Sequence, residues 1–363
     1  MASLLVLSLI ARYFCVSLNS ITVTISAMVL WFFMAYRSMW VGADTKQYVY
    51  IYEQIADISL SNLFNTPLYR YGGNYLFSIT DFPKGYLLFN KLLNFFSSNS
   101  QTITIVCSTL IFAFLLILLK VRSPYPLLSL WLYFTLGIFQ TDMNIMRNSV
   151  SIYWCYLFFD FIEKKRAVPF VVSVLLASTF HSSAILFIPL YWIYNNSKFT
   201  FKRVILLLLT AIVCGVLFNL IRPTIVRFLP PQYAYYFRNN TTKLEGLLVG
   251  VFHLLLVFSV LLMSSIKKWK NIVNSCKIGV WMLTFEVFFY TLGLYMVPAL
   301  RMAALFAPYT IILIPNLIHS SSDKRVNKLV IILIVAVIAG LQYALRISIN
   351  NIGDTMPYSF YWT

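Results

Sequence analysis

Apolar runs close to 20 residues recur from one end of the chain to the other, each closed by a short polar stretch. A run of that length matches the hydrocarbon core of a bilayer, so the pattern predicts an all-α polytopic integral membrane protein. A membrane barrel would instead alternate in segments of about ten residues. Twelve spans are predicted, at roughly 4–18, 21–36, 101–119, 125–139, 143–162, two short passes within 167–194, 204–220, 246–263, 277–295, 299–318 and 329–343. The first run carries Arg12, read as snorkelling or paired, and lacks a small-residue cleavage site, so it is read as a span rather than a cleaved signal. After the second span the pattern turns polar, and residues 37–100 are expected to form a large external loop. Within it, 85–96 is apolar but too short to cross, and reads as an interfacial or re-entrant helix. A second external loop is expected at 221–245. No break or repeat is visible, so 1–363 reads as a single transmembrane domain.

Composition agrees with this reading: the chain is 60% hydrophobic and only 11% charged, where soluble domains carry about 25% charge. The net charge of +17 would suit nucleic acid in a soluble protein, but here the positive residues gather in short loops. The strongest basic loops are Lys164–Arg166, Lys267-Lys268-Trp269-Lys270 and Lys324-Arg325, which should all be cytoplasmic. That requirement selects two short passes over one long helix at 167–194, with His181 at an external turn. It leaves Arg37, Arg147, Arg301 and several other cations on the outer face, against the usual rule. Outward arginines suit a phosphate-bearing lipid, because the guanidinium presents a planar fork of donors. The five cysteines have neither metal nor disulfide spacing, and the three histidines are scattered, so no metal and no cofactor is expected.

Several residues are candidates for chemistry. Arg147, at the outer start of the fifth span, either snorkels or binds a pyrophosphate, and Arg301 offers the same two readings. His181, in Phe180-His181-Ser182-Ser183, either caps a turn or contacts phosphate, sugar or a proton. Asp44, in Gly42-Ala43-Asp44-Thr45, either caps a tight turn or activates an acceptor hydroxyl. His253 and His319 lie on apolar faces without a partner at ligand spacing and are read as structural. Thr45, Tyr48, Asn148, Ser182 and Tyr233 are expected to bind or position sugar.

Val41-Gly42-Ala43-Asp44-Thr45 with Tyr48 resembles the Gly-x-Asp-Thr…Tyr signature of the EpsG-type membrane proteins, a group that includes Wzy-type O-antigen and capsule polymerases. Arg147-Asn148 resembles the family's Arg-Gln or Arg-Asn pair, and Phe180-His181-Ser182-Ser183-Ala184 with Pro189 its Phe-His-x-Ser-Ala motif. Arg301 with Tyr309 and Pro315 resembles its late Arg…Tyr…Pro helix. Ala43 and Asn148 depart from the more usual residues. The resemblance implies polymerisation of undecaprenyl-pyrophosphate-linked oligosaccharide on the periplasmic face of a bacterial inner membrane. The same lipid-linked unit would be donor and acceptor, membrane lipid and a chain-length regulator would be partners, and nucleic acid would not. In that scheme Asp44 and His181 are catalytic, Arg147 and Arg301 hold pyrophosphate, and Asp44 is the preferred base, since His181 beside pyrophosphate suits phosphate binding. A membrane O-acetyltransferase using His181 as base, and a flippase of lipid-linked oligosaccharide, are the competing readings.

Overall fold

The apolar runs form helices, some unbroken and some divided, and Pro223 and Pro315 lie inside helices without ending them. The computed structural model describes residues 16–69, 76–77, 82–228, 251, 253–260, 273, 275–321, 325–349, 351 and 354–363. The expected span at 4–18, save its last residues, lies outside the described residues, as do Arg12, Tyr233, the basic loop at 267–270 and most of the loop at 221–245. Helix α1 is Val16–Ala35. Helices α2 (Thr45–Ala56) and α3 (Lys84–Asn94) follow, flanking a ribbon in which Leu68 pairs with Phe77 and Tyr69 with Leu76. Helix α3 stands close to the short apolar segment expected at 85–96.

Helix α4 (Gln101–Arg122) is unbroken over 22 residues. The next run divides at Gly137 into α5 (Pro126–Thr135) and α6 (Ile138–Asn144). The one after it divides into α7 (Met146–Leu157) and α8 (Asp160–Glu163). Between 167 and 196 the chain forms α9 (Ala167–Ser178), a break at 179–181, a 3-10 turn (Ser182–Phe187) and α10 (Ile188–Asn196). Helix α9, at 12 residues or about 18 Å, is shorter than a bilayer core of about 30 Å. Helix α11 (Phe201–Phe228) runs on past 220, so the first part of the expected second loop is helical. The remaining helices are α12 (Lys277–Gly293), α13 (Val297–Ala303), α14 (Thr310–Ser321) and α15 (Arg325–Ile349). Among the described residues, four stretches are long and apolar enough to cross a membrane: Gln101–Arg122, Lys202–Phe228, Val297–Ser320 and Asn327–Leu345.

The helices gather into two packing units, residues 1–191 with 338–363, and residues 192–337. No change of composition marks the boundary. In the first unit α4 lies against α1 and α7. At one end, Arg122 pairs with Asp160 and, at 2.8 Å, with Glu163, beside the basic loop that begins at Lys164. At the other end, Gln101 Nε2 donates to the carbonyls of Ala35 (2.7 Å) and Arg37 (3.1 Å), seating the loop after α1 on the start of α4. A helix of 22 residues is about 33 Å long, so these ends are a membrane thickness apart. Arg122 and Lys164, the latter in a loop assigned to one side from the charge pattern, thus share one end. Arg37 and the start of α7 share the other.

In the second unit, Val204, Val280, Leu283, Val287, Leu313 and Leu317 form the core. Glu286 is fully buried there and accepts a hydrogen bond from Thr310 Oγ1 at 3.3 Å. His253 Nε2 comes within 3.1 Å of it, so the histidine expected to lack a partner meets a buried acid.

Candidate functional site

The loop after α1 is shaped by Gly42, whose φ of +95° is open to glycine and strained for other residues. A Cβ at Gly42 would lie 2.8 Å from Thr45 Oγ1 and 3.0 Å from Asn144 Oδ1, so both neighbours crowd the backbone there. The Ala43 N–H donates to Asn144 Oδ1, and Asn144 Nδ2 donates to the Gln140 carbonyl at 3.2 Å, which ties the turn to α6. From the other side the C-terminal tail holds it: the Gly42 N–H donates to the Asp354 carbonyl and the Ser38 N–H to that of Ser359, both at 2.9 Å. Asp44 opens α2, its carbonyl accepting from the Gln47 and Tyr48 N–H groups at 3.0 and 3.3 Å. Its side chain makes no cap hydrogen bond, so the capping role open to it in the sequence is not the one it takes.

Beneath the turn lies Arg37, fully buried. Its Nε donates to Thr45 Oγ1 (3.3 Å), its Nη2 to the Met143 carbonyl (2.8 Å), and its Nη1 to the Met34 carbonyl. Among the described residues no carboxylate pairs with it. Burial pulls the guanidinium down to about 10, so it stays charged at neutral pH. Arg37 therefore joins the Asp44 turn to the junction of α6 and α7. Thr45 Oγ1 both receives Arg37 and donates to the Val41 carbonyl at 2.8 Å, inside the fold. Thr45, expected to position sugar, is buried, and its hydroxyl is engaged by Arg37 and Val41.

Arg147 opens α7 in a different state. Its guanidinium carbon lies 4.9 Å from the centre of the Phe82 ring and 5.3 Å from that of Tyr86. Its Nε and Nη1 are buried without a hydrogen-bond partner. A snorkelling arginine would carry these donors to water; here they are held among rings. Tyr86 is placed by its N–H, which donates to the Thr179 carbonyl at 3.1 Å, and by Gly85, which lets Thr179 approach closer than any Cβ would allow. Its ring also packs against Tyr48 and Phe180, at 6.3 and 6.2 Å between centroids. Three of the four motifs singled out in the sequence thus meet around Tyr86.

His181 lies in the break after α9 in extended conformation, its N–H donating to the Ala177 carbonyl at 3.1 Å. Its Nδ1 is 2.6 Å from Ser183 Oγ, and that hydroxyl donates to Asn148 Oδ1 at 3.1 Å. A serine has one proton to give, so with it directed at Asn148 the Ser183 oxygen is left to accept from His181 Nδ1. Asn148, itself buried, orients His181 through Ser183. Ser182, the expected serine, is exposed, and Ser183 makes the contact.

Asp142 forms the floor. It accepts from the hydroxyls of Ser149 (2.6 Å), Tyr153 (2.8 Å) and Tyr133 (2.9 Å), linking α5, α6 and α7. Burial pushes its carboxyl up to about 6, with the three hydroxyls pulling the other way. Arg301 belongs to the second unit, exposed on α13. Tyr86 and Asn144 were not singled out in the sequence, Ser183 was named there without a role, and Arg37, expected as an outward cation, is instead buried. The signal available was their position: Arg37 directly follows an apolar run, and Asn144 lies three residues before Arg147. Among the described residues no group of three His, Cys, Asp or Glu side chains could hold a metal.

The model of the EpsG family matches residues 20–360. No curated protein and no solved structure matches the chain. The matched region holds every candidate residue discussed above, and the long apolar helices make the chain a membrane protein. It belongs to the EpsG family and is a polysaccharide-related membrane protein.

Proposed function

We propose that this protein is a polysaccharide polymerase acting on undecaprenyl-pyrophosphate-linked oligosaccharide repeats. The observation that carries the reading is Arg147: a guanidinium with unmet donors, held over the Phe82 and Tyr86 rings in the unit that also holds Asp44 and His181. A buried donor without a partner is costly, and an anion that supplies the missing acceptors relieves that cost. In the reaction, an acceptor sugar hydroxyl attacks the anomeric carbon of the donor chain. The bond from that carbon to the pyrophosphate oxygen breaks, and the electron pair leaves with the lipid pyrophosphate. Arg147 offsets the charge that develops there, Asp44 takes the hydroxyl proton, and His181, oriented by Ser183 and Asn148, contacts phosphate or sugar. Tyr48, Ser182 and Tyr233 position sugar in this reading, and Arg301 is a second pyrophosphate ligand. The twelve-span arrangement, the inner-membrane location and a periplasmic site belong to the same proposal, as does a chain-length regulator as partner. The grouping of Arg122 with Lys164 at one end of the unit and Arg37 with Arg147 at the other supports that sidedness.

A lipopolysaccharide gel of a deletion strain tests it. Loss of the ladder with one repeat retained supports a polymerase. Complete loss of repeats would favour a flippase, and a normal ladder with altered acetyl content an acetyltransferase.

A further inference from the structure

A cavity of about 320 Å³ lies wholly within the first unit, between α1, α5, α6 and the C-terminal tail. That volume is at the lower end of the range for ligand pockets, about 300–1,000 Å³. Its wall is apolar and aromatic: Val29 and Phe33 from α1, Phe134 from α5, Met143 from α6, and Met356 from the tail. One polar group stands out. Gln140 is buried, its Nε2 meets the Tyr343 hydroxyl at 2.9 Å, and its Oε1 has no partner. A tyrosine hydroxyl both donates and accepts, so the Gln140 amide can turn and offer either a donor or an acceptor.

Two observations say what fits. First, the rim faces the surroundings of α1. Val29 is 43% and Met356 54% exposed, and Val29 continues a row of exposed apolar residues at Ile21, Ile25, Met28, Phe32 and Phe33. Such a row on an apolar helix meets lipid tails, so the cavity is reached sideways from the hydrocarbon. Second, the walls are the elements that hold the Asp44 turn. Gln140 gives its carbonyl to Asn144, which holds Ala43; Met143 gives its carbonyl to Arg37; and the tail residue before Thr355 receives the Gly42 N–H.

We propose that this cavity receives the prenyl chain of the lipid-linked substrate at its phosphate end, with Gln140 contacting the first polar atoms. The assignment rests on the polymerase reading. A chain entering here has its head delivered beside the turn that carries Asp44, and seating it firms the α6 and tail contacts that shape that turn.

The test uses the full chain in lipid nanodiscs and a polyprenyl monophosphate bearing a diazirine near its head. Crosslinking is expected within residues 29–33, 134–143 or 355–358, falling about tenfold with excess unlabelled polyprenyl phosphate. Val29→Trp, at an exposed rim position that an indole can fill, should lower that crosslinking by a similar factor without shifting the unfolding midpoint. No crosslink in these segments, or undiminished crosslinking in Val29→Trp, overturns the proposal. Equal competition by phosphatidic acid also overturns it, making the cavity a seat for ordinary membrane lipid. Chain lengthening by the wild type is measured in the same discs: lengthening without crosslinking sinks the cavity alone, and crosslinking without lengthening sinks the polymerase reading alone.

Discussion

Replacing Arg147 by Met separates a binding residue from a structural one, because the two roles move stability and affinity in different directions. In the free protein the guanidinium has two buried nitrogens without partners. Each buried unmet donor costs about 1–3 kcal/mol, and the half-buried position of Arg147 reduces this toward the lower figure. Against it stand the stacking contacts with Phe82 and Tyr86, worth about 0.5–2 kcal/mol. Methionine keeps the length and can lie along the same rings, so Arg147→Met should leave stability within about 1 kcal/mol of wild type or raise it. Affinity should behave otherwise. Removing one partner of a desolvated charged contact costs about 2–5 kcal/mol, or roughly 30-fold and upward in dissociation constant. Arg147→Lys keeps the charge but loses the planar fork and much of the stacking, so it should fall between. The assays are the thermal unfolding midpoint in detergent and binding of undecaprenyl pyrophosphate to protein in nanodiscs. A clear drop in midpoint for Arg147→Met with unchanged affinity would refute the reasoning and make Arg147 a packing residue.

Asp44→Asn should retain substrate binding and lose chain lengthening, whereas His181→Gln should weaken binding more than the chemical step; full turnover by Asp44→Asn removes it as base, and an acidic limb lost only in His181→Gln transfers that role to His181. Arg37→Met leaves the Met34 and Met143 carbonyls and Thr45 Oγ1 without their donor, and should lower stability by about 2–4 kcal/mol, with Thr45→Val milder at about 1 kcal/mol; equal unfolding midpoints for both variants and wild type would contradict this. Asp142 has a folded-state value raised from 3.8 to about 6, so the folded protein binds that proton more tightly than the unfolded chain. The Asp142 contribution to stability is then most favourable below about pH 4, falls by about 3 kcal/mol as pH rises to 6, and stays level above. Asp142→Asn lacks this slope, so its stability relative to wild type should improve between pH 4 and pH 7, and a constant difference would show that the carboxyl is not held up.

The helical, membrane-spanning character was legible because it rests on composition and run length, which need no tertiary information. Breaks within runs were harder to read, because apolar periodicity alone does not separate one long helix from two short ones. The break at 179–181 was reached only through the charge of the loops, and the one at Gly137 was not reached. In the site, Asp44, Arg147 and His181 stood out as polar residues in or beside apolar runs. Arg37 did not, because an arginine at a span end looks the same whether it snorkels or turns inward to Thr45 and Met143. Thr45 and Ser183 show the related difficulty: a hydroxyl's partner is set by backbone direction, and two adjacent serines face opposite ways. The Glu286–His253 contact joins residues 33 positions apart in sequence, and no spacing rule reaches that far.

Chain lengthening by the purified protein tests the central claim most directly. Proteoliposomes holding the full chain and a radiolabelled undecaprenyl-pyrophosphate-linked repeat should yield products of two and more repeats, with lipid pyrophosphate released in step. Arg147→Met and Asp44→Asn liposomes should leave the single repeat intact. A wild-type preparation that leaves the single repeat unchanged, or one that only moves it across the bilayer, would contradict the account.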